Sequence, residues 1–249
     1  MLIPTSLSKQ PVIEAAFEMR FSKETQISEI VPGFLFHALG CTKPVISLPP
    51  SQIPKNVREG DEQLHYAVVS RLEIEGYYIG LSDHGVVVST STKYQGWSHF
   101  REKIIHVLNE LNKLNLNDNI IRYSLKYVDF FPKEDDSNLF DKLNVSLNMA
   151  GESMSNYPIN IRIDKNEGAF LNIIQILSHA LVMSDNGEFN KKGLILDIDS
   201  IKQITNTDEI DKFKNEPKKI LDDLHSCNKL AFFSCLKEST IQELEPSYK

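Results

Sequence analysis

Glu14, Glu18 and Arg20 fall two or four residues apart in the run Pro11-Val12-Ile13-Glu14-Ala15-Ala16-Phe17-Glu18-Met19-Arg20-Phe21. Side chains two residues apart share one face of a strand. Two carboxylates and a guanidinium on one face can hold a cation or a polar ligand. On a solvated strand they neutralise one another as same-face ion pairs instead, and that is the favoured reading of this spacing. Arg122 and Lys126 give a second segment a basic face, and Glu14 and Glu18 would meet them if the two segments pair. Asp197 and Asp199 share a strand face too, and a carboxylate pair can bind a divalent metal for phosphoryl chemistry. A nuclease-type site adds a Glu or Lys at short spacing, and Lys202 alone does not define one.

Other chemical signatures are missing from the sequence. His99 and His106 lie two helical turns apart, and His225 with Cys227 lacks the second pair that a zinc site needs. No serine lies in a Gly-x-Ser-x-Gly elbow, and there is no Gly-x-x-x-x-Gly-Lys-Ser/Thr or Gly-x-Gly-x-x-Gly phosphate cradle. No cofactor or metal is expected, no catalytic residue can be assigned, and the chain reads more readily as a binding protein than as an enzyme. Tyr77, Tyr78, Tyr94, Trp97, Tyr123, Tyr127, Phe130 and Phe131 gather around the expected sheet. Base stacking needs aromatics interleaved with basic residues. Only Arg122-Tyr123 and Lys126-Tyr127 show that, so core packing is their expected use.

The elements that must position these residues follow from periodicity. In the opening run Ile13, Ala15, Phe17, Met19 and Phe21 are apolar, with charges between them, which predicts a long strand with one buried and one wet face. Apolar spacing from Glu24 to Leu39 suits an amphipathic helix that Pro32-Gly33 is expected to split. Residues 41–60 contain Pro44, Pro49, Pro50 and Pro54 and read as an extended surface connection. Strands are predicted at Leu64–Ser70, Leu72–Leu81 and Val86–Thr90, the last two joined by a Ser82-Asp83-His84-Gly85 turn. Trp97, Phe100, Ile104, Val107, Leu108, Leu111 and Leu114 form a helical stripe, with Arg101, Glu102, Asn109 and Lys113 turned away.

Asn119–Pro132 predicts a second long strand, its apolar face starting at Ile121, Tyr123, Leu125 and Tyr127 and then shifting phase to Val128 and Phe130. After an acidic connection (Glu134, Asp135, Asp136), strands are expected at Leu143–Met149, Ile159–Asp164, Ala169–Leu177 and Leu194–Ile201. The remainder is helical, with a cap near Thr207-Asp208-Glu209, a break or restart at Pro217, and a last turn capped by Ser239-Thr240. The expected fold class is α+β, a mostly antiparallel curved sheet backed by long helices. Two pseudo-repeated halves, 1–116 and 117–249, would each run strand, connection, meander and long helix, packed as one compact unit.

Bulk properties narrow the class. With 249 residues the chain can bury a large core. A net charge of −7 argues against an unassisted phosphate-backbone binder. Three unclustered cysteines, Cys41, Cys227 and Cys235, suggest free thiols in a reducing compartment. The first residues lack the pattern of a signal peptide and no stretch is apolar enough to span a membrane, so a cytoplasmic location is expected.

The segment Leu7–Phe21 resembles the start of a sporadically distributed, uncharacterised family of bacterial and archaeal proteins. In that family a Pro-(Ile/Val)-x-Glu pair precedes a Phe-Glu-x-Arg-Phe-like strand. Arg122-Tyr123-Ser124-Leu125-Lys126-Tyr127-Val128-Asp129 is similar to its mid-chain Arg-Tyr segment, without the Asn that commonly follows there. Leu196-Asp197-Ile198-Asp199 resembles its late strand, and Leu221-Asp222-Asp223-Leu224-His225 with Phe232-Phe233 its closing helix. The resemblance implies a context, cargo of mobile elements including phage-defence islands, and no particular reaction.

The expected function is a non-catalytic protein-interaction or accessory subunit with a protein partner or self-association, whose polar face includes Glu14, Glu18, Arg20, Arg122 and Lys126. A ligand-binding or enzymatic pocket of the helix-grip kind is the first alternative. Nucleic-acid binding around Arg122, Lys126 and Lys191-Lys192 is the second and is not favoured. No membrane partner is expected.

Overall fold

The computed structural model describes residues 2–133, 138–155, 157–183 and 190–248. The acidic connection Glu134-Asp135-Asp136 lies outside these residues. The fold is α+β, with 35% helix and 36% strand. The strands are β1 (Ser6–Leu7), β2 (Val12–Phe21), β3 (Ile46–Ser47), β4 (Ser70–Ile74), β5 (Tyr77–Leu81), β6 (Gly85–Thr90), β7 (Ile120–Pro132), β8 (Asn148–Met149), β9 (Glu152–Ser153), β10 (Asn160–Glu167), β11 (Phe170–Met183), β12 (Asn190–Gln203) and β13 (Pro246–Ser247). The helices are α1 (Ile27–Ala38), α2 (Lys55–Gly60), α3 (Trp97–Lys113), α4 (Thr207–Asn215), α5 (Pro217–Cys235) and α6 (Glu238–Glu243). Nine strands form one antiparallel sheet that does not close, in the order β10-β11-β12-β7-β2-β6-β5-β4-β3. The strands β1 with β13, and β8 with β9, make two-stranded ribbons.

The chain divides into two compact units, neither of which is a contiguous half. One unit holds Glu14–Leu125 and Ile201–Leu224. Its β2 alternates as the sequence requires: Ala15, Phe17, Met19 and Phe21 are buried, and Glu18 and Arg20 lie between them, half-buried. Ile13 departs from that face and is 46% exposed. The Ala15 N–H donates to the Thr90 hydroxyl at the end of β6.

Helix α1 runs unbroken through Pro32-Gly33, against expectation. Proline removes one i→i−4 bond, and burial of Ile27, Val31 and Leu35 on one stripe offsets that loss. The three-stranded meander keeps its expected corner before β6, but Leu64–Val69 is not a strand and the Leu72–Leu81 run is divided by a turn. A two-residue turn, Glu75-Gly76, pairs Ile74 with Tyr77. Both turn residues have positive φ, 41° and 84°, as a type I′ hairpin turn demands. Helix α3 buries Phe100, Ile104, Val107, Leu108 and Leu111 as the stripe predicts. Arg101, expected to face away, instead joins Trp97 in donating to Asp222 at 2.7 Å each.

Residues 41–60 are more than a connection: β3 pairs with β4, Pro49–Gln52 form a 3-10 turn, and α2 follows. Helix α4 is capped by Asn206, whose side chain accepts the Glu209 N–H at 3.0 Å.

The other unit holds Met1–Ile13, Lys126–Ser200 and His225–Lys249. Its core joins Phe131, Ile174, Ile176, Leu194, Leu196 and Ile198 from the sheet to Phe232, Phe233 and Leu236 from α5 and its end. Leu143–Met149, predicted as a strand, is largely irregular: Asn148–Met149 form a short strand and Leu143 makes a single bridge to Leu236. The last helix, α6, begins after Lys237 and not at Ser239-Thr240. The expected phase shift on β7 does not occur: Tyr127, Asp129 and Phe131 stay buried and Val128 is half-exposed. Phe130 is buried for a separate reason. A Cβ at Gly193 would overlap the Phe130 ring and the Phe131 carbonyl oxygen, so the ring covers a glycine where β12 offers no side chain.

Replacing Gly76 by alanine places a Cβ at φ 84° and 3.0 Å from the Thr92 hydroxyl. The expected loss is about 1–2 kcal/mol, read as a lower denaturation midpoint with an unchanged m-value.

Candidate interaction surface

Glu18 of β2 is shared between Arg20 of the same strand and Arg122 of β7. Glu18 accepts the Nε–H of Arg20 at 2.9 Å, and Arg122 Nη2 approaches the same carboxylate oxygen at 3.7 Å. The Arg20 guanidinium also lies 4.1 Å from the centroid of the Tyr66 ring. One carboxylate between two guanidinium groups is neutralised, which suits a structural tie better than a cation site. Glu14 is exposed. In the other unit, Lys126 pairs with Asp197 at 2.8 Å. The aspartate suggested as half of a metal pair therefore holds an ammonium group. Among the described residues no group of three or more His, Cys, Asp or Glu is placed to hold a metal ion.

Three polar clusters carried no sequence signal. The first ties α2 to the turn before β6. Arg58 and Asp83, 7% and 2% exposed, form a two-point ion pair: Nε to Oδ2 at 2.7 Å and Nη2 to Oδ1 at 2.9 Å. Ser28 donates to Asp83 at 2.7 Å, and Arg58 also donates to the carbonyls of Ile53 and Pro50. The neighbouring His84 Nδ1 lies 2.9 Å from the Thr25 carbonyl oxygen. Burial pushes the Asp83 carboxyl up, but the hydrogen bonds from Arg58 and Ser28 outweigh it and hold it below its ordinary value. These donors and acceptors are turned on one another, so the cluster works as a lock.

The second cluster lies between the sheet and α5. Ser200 donates to Asn172 Oδ1 at 2.6 Å, and the Cys227 sulfur lies 3.5 Å from the same amide. Asn228 donates to the Ile198 carbonyl at 2.9 Å. Burial pushes the Cys227 thiol up, away from the thiolate that nucleophilic chemistry requires. The third is Asp129. Burial raises its carboxyl well above the ordinary value, and the negative charge of Asp197 adds to the effect. A cavity of about 230 Å³ is bordered by Phe140, Val145, Leu147, Ser153 and Lys237, below the 300–1,000 Å³ usual for ligand pockets.

A different kind of site lies on the hairpin of β10 and β11, joined at Gly168-Ala169 and registered Asn160 with Leu177 through Glu167 with Phe170. Ile163, Leu177 and Leu181 are 48%, 39% and 62% exposed. On β11 the alternate side chains Ile174, Ile176 and Ala180 are buried, so the strand is firmly seated while its other face is open. Arg162 grips Asp164 on the same strand, Nε to Oδ1 at 2.8 Å and Nη2 to Oδ2 at 3.1 Å. The Ser178 N–H donates to the Ile159 carbonyl. Backbone groups of alternate residues point the same way, so Ile161, Ile163 and Lys165 turn theirs toward β11. Asn160, Arg162, Asp164 and Asn166 turn theirs toward the open edge, since β10 is the terminal strand of the sheet.

No protein-family model matches the chain, and no match is found among curated proteins.

Arg58→Ala leaves a buried carboxylate unpaired and is expected to cost about 3–5 kcal/mol, measured by urea denaturation at neutral pH. A raised native pKa at Asp129 means that the folded protein binds the proton more tightly than the unfolded chain does. Stability at this position is then full below the unfolded pKa and falls as pH rises toward the native value. The melting temperature of Asp129→Asn should therefore gain on the wild type as pH increases from about 4 to 8; a difference independent of pH contradicts this.

Proposed function

We propose that this chain is a non-catalytic interaction subunit that binds a protein partner through the β10–β11 hairpin. The observation that carries this is the exposure of Leu177 and Leu181 on one face of β11 and of Ile163 on the other face at the sheet edge, while Ile174, Ile176 and Ala180 are buried. Exposed large apolar groups beside unpaired strand backbone favour recognition by another polypeptide. Arg122 and Lys126, the cations that would serve a nucleic acid, already face Glu18 and Asp197. The resemblance of Leu7–Phe21 to a sporadically distributed family of mobile-element cargo makes the product of a neighbouring gene the natural partner, with phage defence as the setting. The site residues Glu14, Glu18, Arg20, Arg122 and Lys126 then act in the scaffold and its polar face.

The test is co-expression with the neighbouring genes, followed by size-exclusion chromatography and mass determination. A stoichiometric complex with one neighbouring product is expected, and Leu177→Asp combined with Leu181→Asp should dissociate it while the far-UV spectrum is unchanged. A complex untouched by that pair of substitutions, or none forming, overturns the reading.

A further inference from the structure

We propose that β10 pairs antiparallel with β10 of a second copy of the chain, about a two-fold axis through Ile163. This rests on the reading of the β10–β11 hairpin as a contact surface and commits its edge to one occupant. The outward-facing backbone groups belong to Asn160, Arg162, Asp164 and Asn166. A hydrogen-bonded antiparallel ladder places outward-facing residues opposite one another, which restricts the possible registers.

Side-chain charge then chooses among them. An axis through Arg162 sets that arginine against its own copy, and an axis through Asp164 does the same with two carboxylates; like charges directly opposite are destabilising. The axis through Ile163 places Arg162 opposite Asp164 of the second copy, and Asp164 opposite its Arg162. Asn160 faces Asn166 in the same register, so every outward pair can exchange both backbone bonds. Sliding farther shortens the ladder and brings an outward residue against Pro158, which has no N–H, or into the Gly168 turn. Those two residues stand at equal distance on either side of Ile163, so the free segment is itself centred on the proposed axis.

The apolar contact agrees with the ladder. Ile163 is 48% exposed in the single chain. On the axis it becomes a non-hydrogen-bonded pair with its own copy, the closer of the two antiparallel pair types. The ion pair that Arg162 and Asp164 make along one strand is exposed and contributes little by itself. Exchanging it for two cross-strand pairs therefore has a small cost. Isologous contacts of this kind close on themselves and stop at the dimer.

Sedimentation of the purified full chain at increasing concentration should show a species of twice 28.4 kDa that dissociates on dilution. Arg162→Asp or Asp164→Arg alone should weaken the association by roughly tenfold or more, and the two together should restore it. These side chains are exposed, so the thermal transition of each variant serves as the folding control. Under mild oxidation Ile163→Cys should give a covalent dimer linked at that position, and Lys165→Cys, set away from the axis, should not. A wild type that stays monomeric, single variants that dimerise normally, or a double exchange that fails to restore the dimer each overturn the proposal. Hairpin-dependent capture of a neighbouring gene product by a monomeric wild type would remove the self-pairing and leave the contact-surface reading standing. Loss of both removes both.

Discussion

A sheet that does not close must leave a row of backbone donors and acceptors unpaired along each terminal strand. Folded proteins blunt such edges by shortening, charging or covering them. The two edges of this sheet are treated differently. Strand β3 is two residues long and runs into Pro49-Pro50, so little template is left there. Strand β10 is eight residues long and carries alternating charges with an isoleucine among them. Those charges discourage indiscriminate pairing, and their order, Arg162 then Asp164, is complementary to itself when reversed.

Elsewhere several charged residues are paired within the fold. Glu18 satisfies two arginines, Asp197 takes Lys126, and Asp83 takes Arg58. The buried pair differs from the others in consequence. Half-exposed ion pairs contribute little, whereas removing one member of a buried pair strands a charge in a medium that cannot solvate it. At Asp129 burial acts on the carboxyl itself and raises it well above its ordinary value. Glu18 and Asp197, which the sequence offers as possible ligands, each face a cation of the fold.

Periodicity made a good part of this legible. The alternation of Ala15, Phe17, Met19 and Phe21 and the stripe from Phe100 to Leu111 encode burial directly, because a slip of one residue turns a strand's side chains to the other face and swings a helical stripe by about 100°. What escaped had no local signal. Arg58 sat in a proline-rich stretch whose composition says surface, and its partner Asp83 is distant in sequence. Glu75-Gly76 carries no turn signal at its first position, since Glu rarely adopts the positive φ it has here. Asp129 falls on the polar side of the expected strand, since a buried aspartate has the same letter as one in water. Phe130 is buried as expected, but it covers Gly193 on another strand and marks no change of phase. The hairpin's exposed face was invisible for a similar reason: the apolar run of β11 signals a strand, not which of its faces lacks cover.

Residue-resolved amide exchange tests the central claim, that the open edge of β10 is a contact surface for a second copy, most directly. The account predicts that the amides of Ile161, Ile163 and Lys165 are protected at every protein concentration. Those of Arg162, Asp164 and Asn166 should exchange freely in dilute solution and become protected as concentration rises. Outward amides that exchange equally fast at all concentrations, or inward and outward amides that behave alike, would contradict it.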